Sequence, residues 1–192
     1  PLIEHLQGGF TRAVTRILAC SLHAFDAGFD RSAAISAISI VACVPICMVT
    51  LGAAIVARGP AGERRIAASS FFTGIFETAL SPLEVLVAVE LPLAPVHSRH
   101  FFHEFARRHG DYAIVGLAAQ AIVNGGEFAD IRLGFFAVGE RPLLAKSATR
   151  LIDVAITPAV LSEASFSLGE ELDPLGDQQA TPAMRRHLAK VL

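Results

Sequence analysis

Hydrophobic and polar positions alternate most cleanly in FADIRLGFFAV (128–138). There Ile131, Leu133, Phe135 and Ala137 share one face, and Asp130 and Arg132 share the other. A period of two predicts a strand buried on one side. The preceding run, AIVGLAAQAIV (113–123), is small and apolar on both faces, which suits a central strand covered on both sides. Between them lies Asn124-Gly125-Gly126, and Asn-Gly between strand-like runs predicts a hairpin. Residues 101–105 supply another strand. Upstream, Val85 to Leu91 (VLVAVEL) is a β-branched run closed by Pro92 and Pro95, which mark a joint near 92–98. Ala53–Ala57 and Arg64–Ala68 read as a hairpin across the turn at 58–62. Ser81-Pro82-Leu83-Glu84 has capping-box spacing with proline at the first helical position, predicting a short helical turn. Thr157-Pro158 and Thr181-Pro182 each read as an N-cap with a first-turn proline. They open helices over 158–172 and 182–192, separated by the loop at 173–177. Residues 93–192 are thus expected to be an antiparallel sheet with helices packed on one face, in a chain of α+β class.

From Ala33 to Ala57 no residue is charged, a length beyond the roughly 18 apolar residues that make a membrane-span candidate. Arg12, Arg16 and Arg31 would be its positive flank. Pro45, Gly52 and the abundance of Ser and Ala weigh against insertion. Arg12 and Arg16 interrupt the apolar stretch that a secretory signal needs. The whole chain is oily: 53% of its 192 residues are hydrophobic and 18% charged, against about 25% charged in soluble domains. Such a composition excludes disorder. With 16 Lys and Arg against 18 Asp and Glu, the net charge of −2 leaves no basic excess for phosphates, which removes the main source of nucleic-acid affinity. The three cysteines, Cys20, Cys43 and Cys47, form neither an even disulfide set nor a C-x-x-C zinc spacing. They read as buried reduced thiols in a cytoplasmic protein. Opening on Pro1 rather than Met, the chain reads as a fragment or a processed product.

His97, His100, His103 and His109 invite a metal reading, but the spacing puts His97 and His103 opposite His100 on a strand, and no zincin pattern is present. Serine elbows, phosphate-binding P-loops and G-x-G-x-x-G are absent. Glu104 to Ala113 (EFARRHGDYA) stands apart. It sets two arginines, an acid and the chain's only tyrosine beside a very apolar strand. Read as structure, it is an exposed loop with a local Arg–Asp pair. Read as a site, its tyrosine is a stacking wall for a planar ligand.

At this segment the chain resembles the medium, FAD-carrying subunit of the molybdenum hydroxylases, a family that includes bacterial carbon monoxide dehydrogenases and xanthine dehydrogenases. Phe105 to Ala113 matches its F-A-R-R-x-G-D-(Y/F)-A stretch. Four further blocks resemble it in order: LGAAIVARGPAGERRIAA (51–68), FFTGIFETALSPLEVLVAVELP (71–92), IRLGFFAVGERP (131–142) and DPLGDQQATPAMRRHLAKVL (173–192). The resemblance implies an atypical apolar segment over 1–43, the tail of the second FAD-binding subdomain over 44–92, and a C-terminal flavoprotein domain over 93–192. It implies electron transfer from a molybdenum site through iron–sulfur clusters to FAD and on to an acceptor, the flavin carrying the chemistry of this subunit. Molybdopterin and [2Fe-2S] centres would belong to a large and a small partner subunit. By resemblance, Tyr112 would lie against the isoalloxazine ring with Asp111 at its edge, and Thr78 and Leu80 would line the flavin pocket. Many members carry a lysine where this chain has Glu104, a further position near the flavin.

Members of the family hold the FAD pyrophosphate through two glycine motifs, because backbone N–H groups need glycine to approach phosphate closely. The first would lie before Pro1. The second is expected near 29–40, where the chain reads FDRSAAISAISI. Codons for Gly-Gly-Asn-Leu-Gly-His-Leu, read one base later, yield Ala-Ala-Ile-Ser-Ala-Ile-Ser, the sequence of residues 33–39. A frameshift before about residue 44 would therefore turn a flavin loop into an apparent membrane span. The alternatives to an incomplete FAD-binding subunit are a docking module without flavin and a small single-span membrane protein.

Overall fold

A computed structural model describes residues 43–108 and 111–192. The expected frameshifted loop at 29–40, most of the apolar segment 1–43 including Cys20, and His109 with Gly110 lie outside the described residues.

The uncharged run is divided between two kinds of structure. Residues 43–51 form helix α1, which stops at Gly52. Gly52 has φ +70°, its N–H donates to Val49 O at 3.2 Å, and Ala53 N–H donates to Met48 O at 2.8 Å. That pair of bonds is a Schellman end, in which glycine takes the left-handed position. Strand β1 (Ala54–Gly59) follows at once. The run therefore does not continue as helix past residue 51, and among the described residues no helix is long and apolar enough to cross a membrane.

Strand β1 forms the predicted hairpin with β2 (Gly62–Ala67), in register Ala54↔Ala67 and Gly59↔Gly62. A short helix α2 (Ala68–Phe71) leads into β3 (Phe72–Gly74) and β4 (Glu77–Thr78), a two-stranded ribbon. β5 (Val85–Glu90) then pairs with the other edge of β1, giving the order β2-β1-β5. The predicted helical turn at 81–84 is instead a single reverse turn. Ser81 N–H donates to Glu84 Oε2 at 2.7 Å and Glu84 N–H to Ser81 O at 2.9 Å. Half of a capping box forms, but Val85 is already claimed by strand pairing with Arg58, so no helix propagates.

After the proline joint come β6 (Ser98–Ala106), β7 (Ala113–Asn124), β8 (Glu127–Phe136) and β9 (Leu143–Leu144), an antiparallel sheet in that order. The β7–β8 turn places Gly125 and Gly126 at φ 58° and 93°, the two positive angles that a type I′ hairpin demands. A 3-10 helix (Lys146–Leu151) follows, then α3 (Pro158–Glu171) and α4 (Pro182–Val191). Both helices start as predicted: Thr157 accepts from Val160 N–H and Thr181 from Met184 N–H.

One face of this sheet presents Val115, Leu117 and Phe135 to Leu168 and Leu172, with Ala189 of α4 in the same cluster. The other face receives α1. Ile46 packs with Ala118 and Phe136, while Met48 and Val49 on the same helix pack against Ile55 and Phe71 of the first sheet. The close seat depends on glycine. A Cβ at Gly134 would stand 2.1 Å from Thr50 Oγ1 and 2.7 Å from Ile46 Cδ1, and one at Gly116 would meet the Phe136 ring at 2.1 Å. One expectation for β8 fails at its end. Ala137 leaves the Ile131–Phe135 face because the strand stops at Phe136 and Ala137 turns left-handed (φ 61°), joining the cluster beneath α1.

Candidate functional site

The candidate residues fall into two groups. Thr78 and Leu80 belong to the first sheet unit. Thr78 ends β4 opposite Phe72 and is exposed, while Leu80 packs partly buried against the first core. Arg64 on β2 holds this segment. It donates to the Ala79 carbonyl at 2.7 Å and to both carboxylate oxygens of Glu84 at 2.7 and 2.8 Å. Ala79 N–H donates to Phe71 O at 2.8 Å, so the backbone around Thr78 and Leu80 is fastened on two sides.

Glu104, Asp111 and Tyr112 belong to the second unit. Glu104 lies on β6 on the α1 side of the sheet, where its charge acts on Cys43. Burial, with the Glu104 charge second, pushes the Cys43 thiol up to about 11. Burial, then Cys43, pushes Cys47 up to about 12. Both thiols are only partly buried, yet both stay protonated and unreactive at neutral pH. Asp111 N–H donates to Arg108 O at 3.1 Å. The Tyr112 ring is 53% exposed and has neither a ring partner nor a hydrogen bond among the described residues. Among the described residues no hydrogen bond or ring contact joins it to Thr78 or Leu80. It is an open aromatic face at the start of the central strand.

His100 and His103 take opposite faces of β6. His100 Nε2 lies 3.1 Å from Gln120 Nε2, and burial lowers its pKa. His103 packs between the rings of Phe101 and Phe105. Among the described residues, no group of three His, Cys, Asp or Glu converges to hold a metal ion. Two clefts lie away from the candidate residues. One of about 470 Å³ runs between the 59–64 turn and Ser81–Glu84, and one of about 340 Å³ lies between Thr73 and the 138–143 loop.

Sequence reasoning overlooked Arg185, whose side chain is buried at the start of α4 and donates to Asp177 Oδ2 at 2.6 Å. The signal was available. Arg185 shares a stripe with Ala189 and Leu192, spaced i, i+4 and i+7, so it falls on the helix face that meets the sheet.

The larger antiparallel sheet carries α3 and α4 on one face and α1 on the other, and α1 joins it to the smaller sheet. A family model described as the FAD binding domain in molybdopterin dehydrogenase matches residues 35–94, and one described as the CO dehydrogenase flavoprotein C-terminal domain matches residues 100–192. The chain is 30% identical over 151 residues to the carbon monoxide dehydrogenase medium chain of Afipia carboxidovorans, covering 78% of this chain and 52% of that one. It superposes on carbon monoxide dehydrogenase of Hydrogenophaga pseudoflava, in a form lacking the Mo-pyranopterin moiety, with a TM-score of 0.74 and 25% identity, over 77% of this chain and 52% of that one. Quinoline 2-oxidoreductase of Pseudomonas putida 86 gives 0.70 and 36% over the same shares. The chain belongs to the medium, FAD-binding subunits of the molybdenum hydroxylases, the family of carbon monoxide and xanthine dehydrogenases. It spans about half the length of the curated relatives it matches.

Proposed function

We propose that this chain is the electron-transfer part of a molybdenum hydroxylase, holding the ring end of FAD between its two sheet units. The observation that carries this reading is the half-exposed, unpartnered ring of Tyr112, set beside Asp111 in a segment matching the family's flavin block. The residues present fit the isoalloxazine end of FAD: an aromatic face at Tyr112, an acid at Asp111, a hydroxyl at Thr78 and an apolar side chain at Leu80. Among the described residues no glycine-rich cradle serves the pyrophosphate, so the fit is to the ring alone. When bound, FAD supplies electron exchange between a donor centre and an acceptor. Tyr112 would cover one face of the ring and keep water from it. Asp111 would present its carboxylate at the ring edge, and Thr78 a hydroxyl that donates or accepts a hydrogen bond. Glu104 would set a negative charge near the flavin, which opposes adding electrons to it.

Electrons would arrive from the iron–sulfur clusters of a small subunit, fed by a large molybdopterin subunit. Genes for both are expected to lie beside this one. In the proposed organisation residues 44–92 are the remnant of the FAD-binding domain and 93–192 the C-terminal domain. The glycine-free stretch at 29–40 is proposed to be a frameshifted phosphate loop. Translating the upstream gene in the other frame should reveal the glycine motif, and its absence there rejects the idea.

The decisive experiment is the visible absorbance of the purified chain with and without added FAD. A flavin spectrum that changes in Tyr112→Ala supports the reading, and a bound flavin indifferent to Tyr112→Ala removes the stacking role. A chain that takes up no FAD is a docking module instead. Carbonate extraction tests the membrane alternative, which requires the chain to stay with the pellet.

A further inference from the structure

Two sequence blocks far apart in the chain meet at one turn. Asp177 Oδ1 accepts from Gln179 N–H at 2.8 Å and Ala180 N–H at 3.0 Å, and Asp177 N–H donates to Ala180 O at 3.1 Å, closing the turn 177–180. Arg107 reaches it from the flavin block. Its Nη2 donates to the carbonyl oxygens of Gln178 and Gln179, each at 3.3 Å. Arg185 reaches it from α4, donating from Nη2 to Asp177 Oδ2 at 2.6 Å and from Nη1 to the carbonyls of Ile114 and, at 3.1 Å, Ala137. Arg107 precedes Asp111 and Tyr112, and Ile114 follows them by two residues. Between them Asp111 N–H donates to Arg108 O.

A buried guanidinium is costly unless its charge and donors are met. Arg185, 6% exposed, meets most of that cost with one carboxylate and two carbonyls through Nη1 and Nη2, while its buried Nε has no hydrogen-bond partner among the described residues. Only a planar fork can hold three acceptors so spaced, and the point-like ammonium of lysine cannot. The acceptors it selects are the backbone at the start of β7 and just past the end of β8. The first of them lies two residues after Tyr112.

We propose that Arg107 and Arg185 are positioning residues for Tyr112: fastened to the turn 177–180, they pin the chain on both sides of the residue that presents the ring. The proposal deepens the flavin reading of Tyr112 and rests on it for its purpose, though not for its test. Without the clamp, the backbone that carries the ring would be looser, and binding a planar ligand would require ordering it first.

The chain has one tyrosine and no tryptophan, so tyrosine fluorescence anisotropy and the tyrosine band in near-ultraviolet circular dichroism report Tyr112 alone. In the full chain, Arg107→Ala is expected to lower both signals toward those of a freely rotating tyrosine, with far-ultraviolet dichroism and thermal midpoint unchanged. Arg107→Lys, which keeps a donor for the two carbonyls, should restore most of the loss. Arg185→Lys should lower both signals further. It disturbs a buried site, so where it fails to fold the exposed Arg107→Ala decides. Tyrosine signals unchanged in Arg107→Ala overturn the proposal. Titrating FAD separates the two readings. If FAD fails to quench wild-type tyrosine emission, the flavin role of Tyr112 falls. A reduced anisotropy in Arg107→Ala still upholds the clamp.

Discussion

Strands β5 and β7 are written in nearly the same residues, VLVAVE and AIVGLAAQAIVN, yet solvent treats them differently. Val115 in β7 is fully buried while Val87 in β5 is 40% exposed. β7 has a strand on each side, α3 and α4 against one face and α1 against the other. β5 pairs with β1 alone, and among the described residues no strand lies along its other edge. An apolar strand is therefore not in itself a buried one. Burial comes from what the rest of the chain brings to its faces, and removing a valine-sized side chain from water contributes about 1.5–3 kcal/mol where it happens.

The contrast can be broken by substitution. The largest effect is expected in the second core, where Phe135→Ala should cost about 3–5 kcal/mol in urea denaturation, since a nearly fully buried ring leaves a cavity. Next, Gly134→Ala forces a methyl against Thr50 and Ile46 and should cost about 1–3 kcal/mol by overpacking the seat of α1. A loss near zero would mean that α1 does not sit there in solution. Thr181→Ala removes the cap of α4 and should cost about 1 kcal/mol in the same measurement.

Acid probes the first sheet unit. The Arg64 guanidinium, with the Ser81 N–H second, holds the Glu84 carboxyl down to about 2 from an ordinary 4.5. Because the folded value is depressed, the contribution is complete above pH 4.5 and is lost as pH falls through about 2. Thermal midpoints measured across that window should fall for the wild type and flatten in Glu84→Gln. Smallest of all, Val87→Ala should stay within about 0.5 kcal/mol. A cost approaching that of Phe135→Ala would show that β5 is covered in the protein as purified.

Much of the architecture was legible because local chemistry enforces it. Asn124-Gly125-Gly126 can supply the positive angles of a tight hairpin, and that turn sets the pairing of Val123 with Phe128, after which a bulge at Ile122/Val123 shifts the register so that Ala121 meets Ile131. Thr157-Pro158 and Thr181-Pro182 announce helix starts, and Gly52 weighed against the membrane span that it does interrupt. The Ser81–Glu84 turn misled because the capping signal is the same whether a helix or a strand follows. Ala137 misled because alternation holds only while the backbone stays extended. The candidate site was less legible. Arg185 acts through acceptors 8, 48 and 71 residues away in sequence, and no local pattern encodes such distances.

Periodicity, turn residues and caps specified which segments of this chain become strands and helices, since each of those choices is settled within a few residues by backbone sterics and hydrogen bonding. Tertiary packing decided which apolar strands are buried, that the helix ending at residue 51 serves two cores, and where the Tyr112 ring stands. Those outcomes depend on contacts between residues remote in the chain, whose free energy exists only once the fold has brought them together.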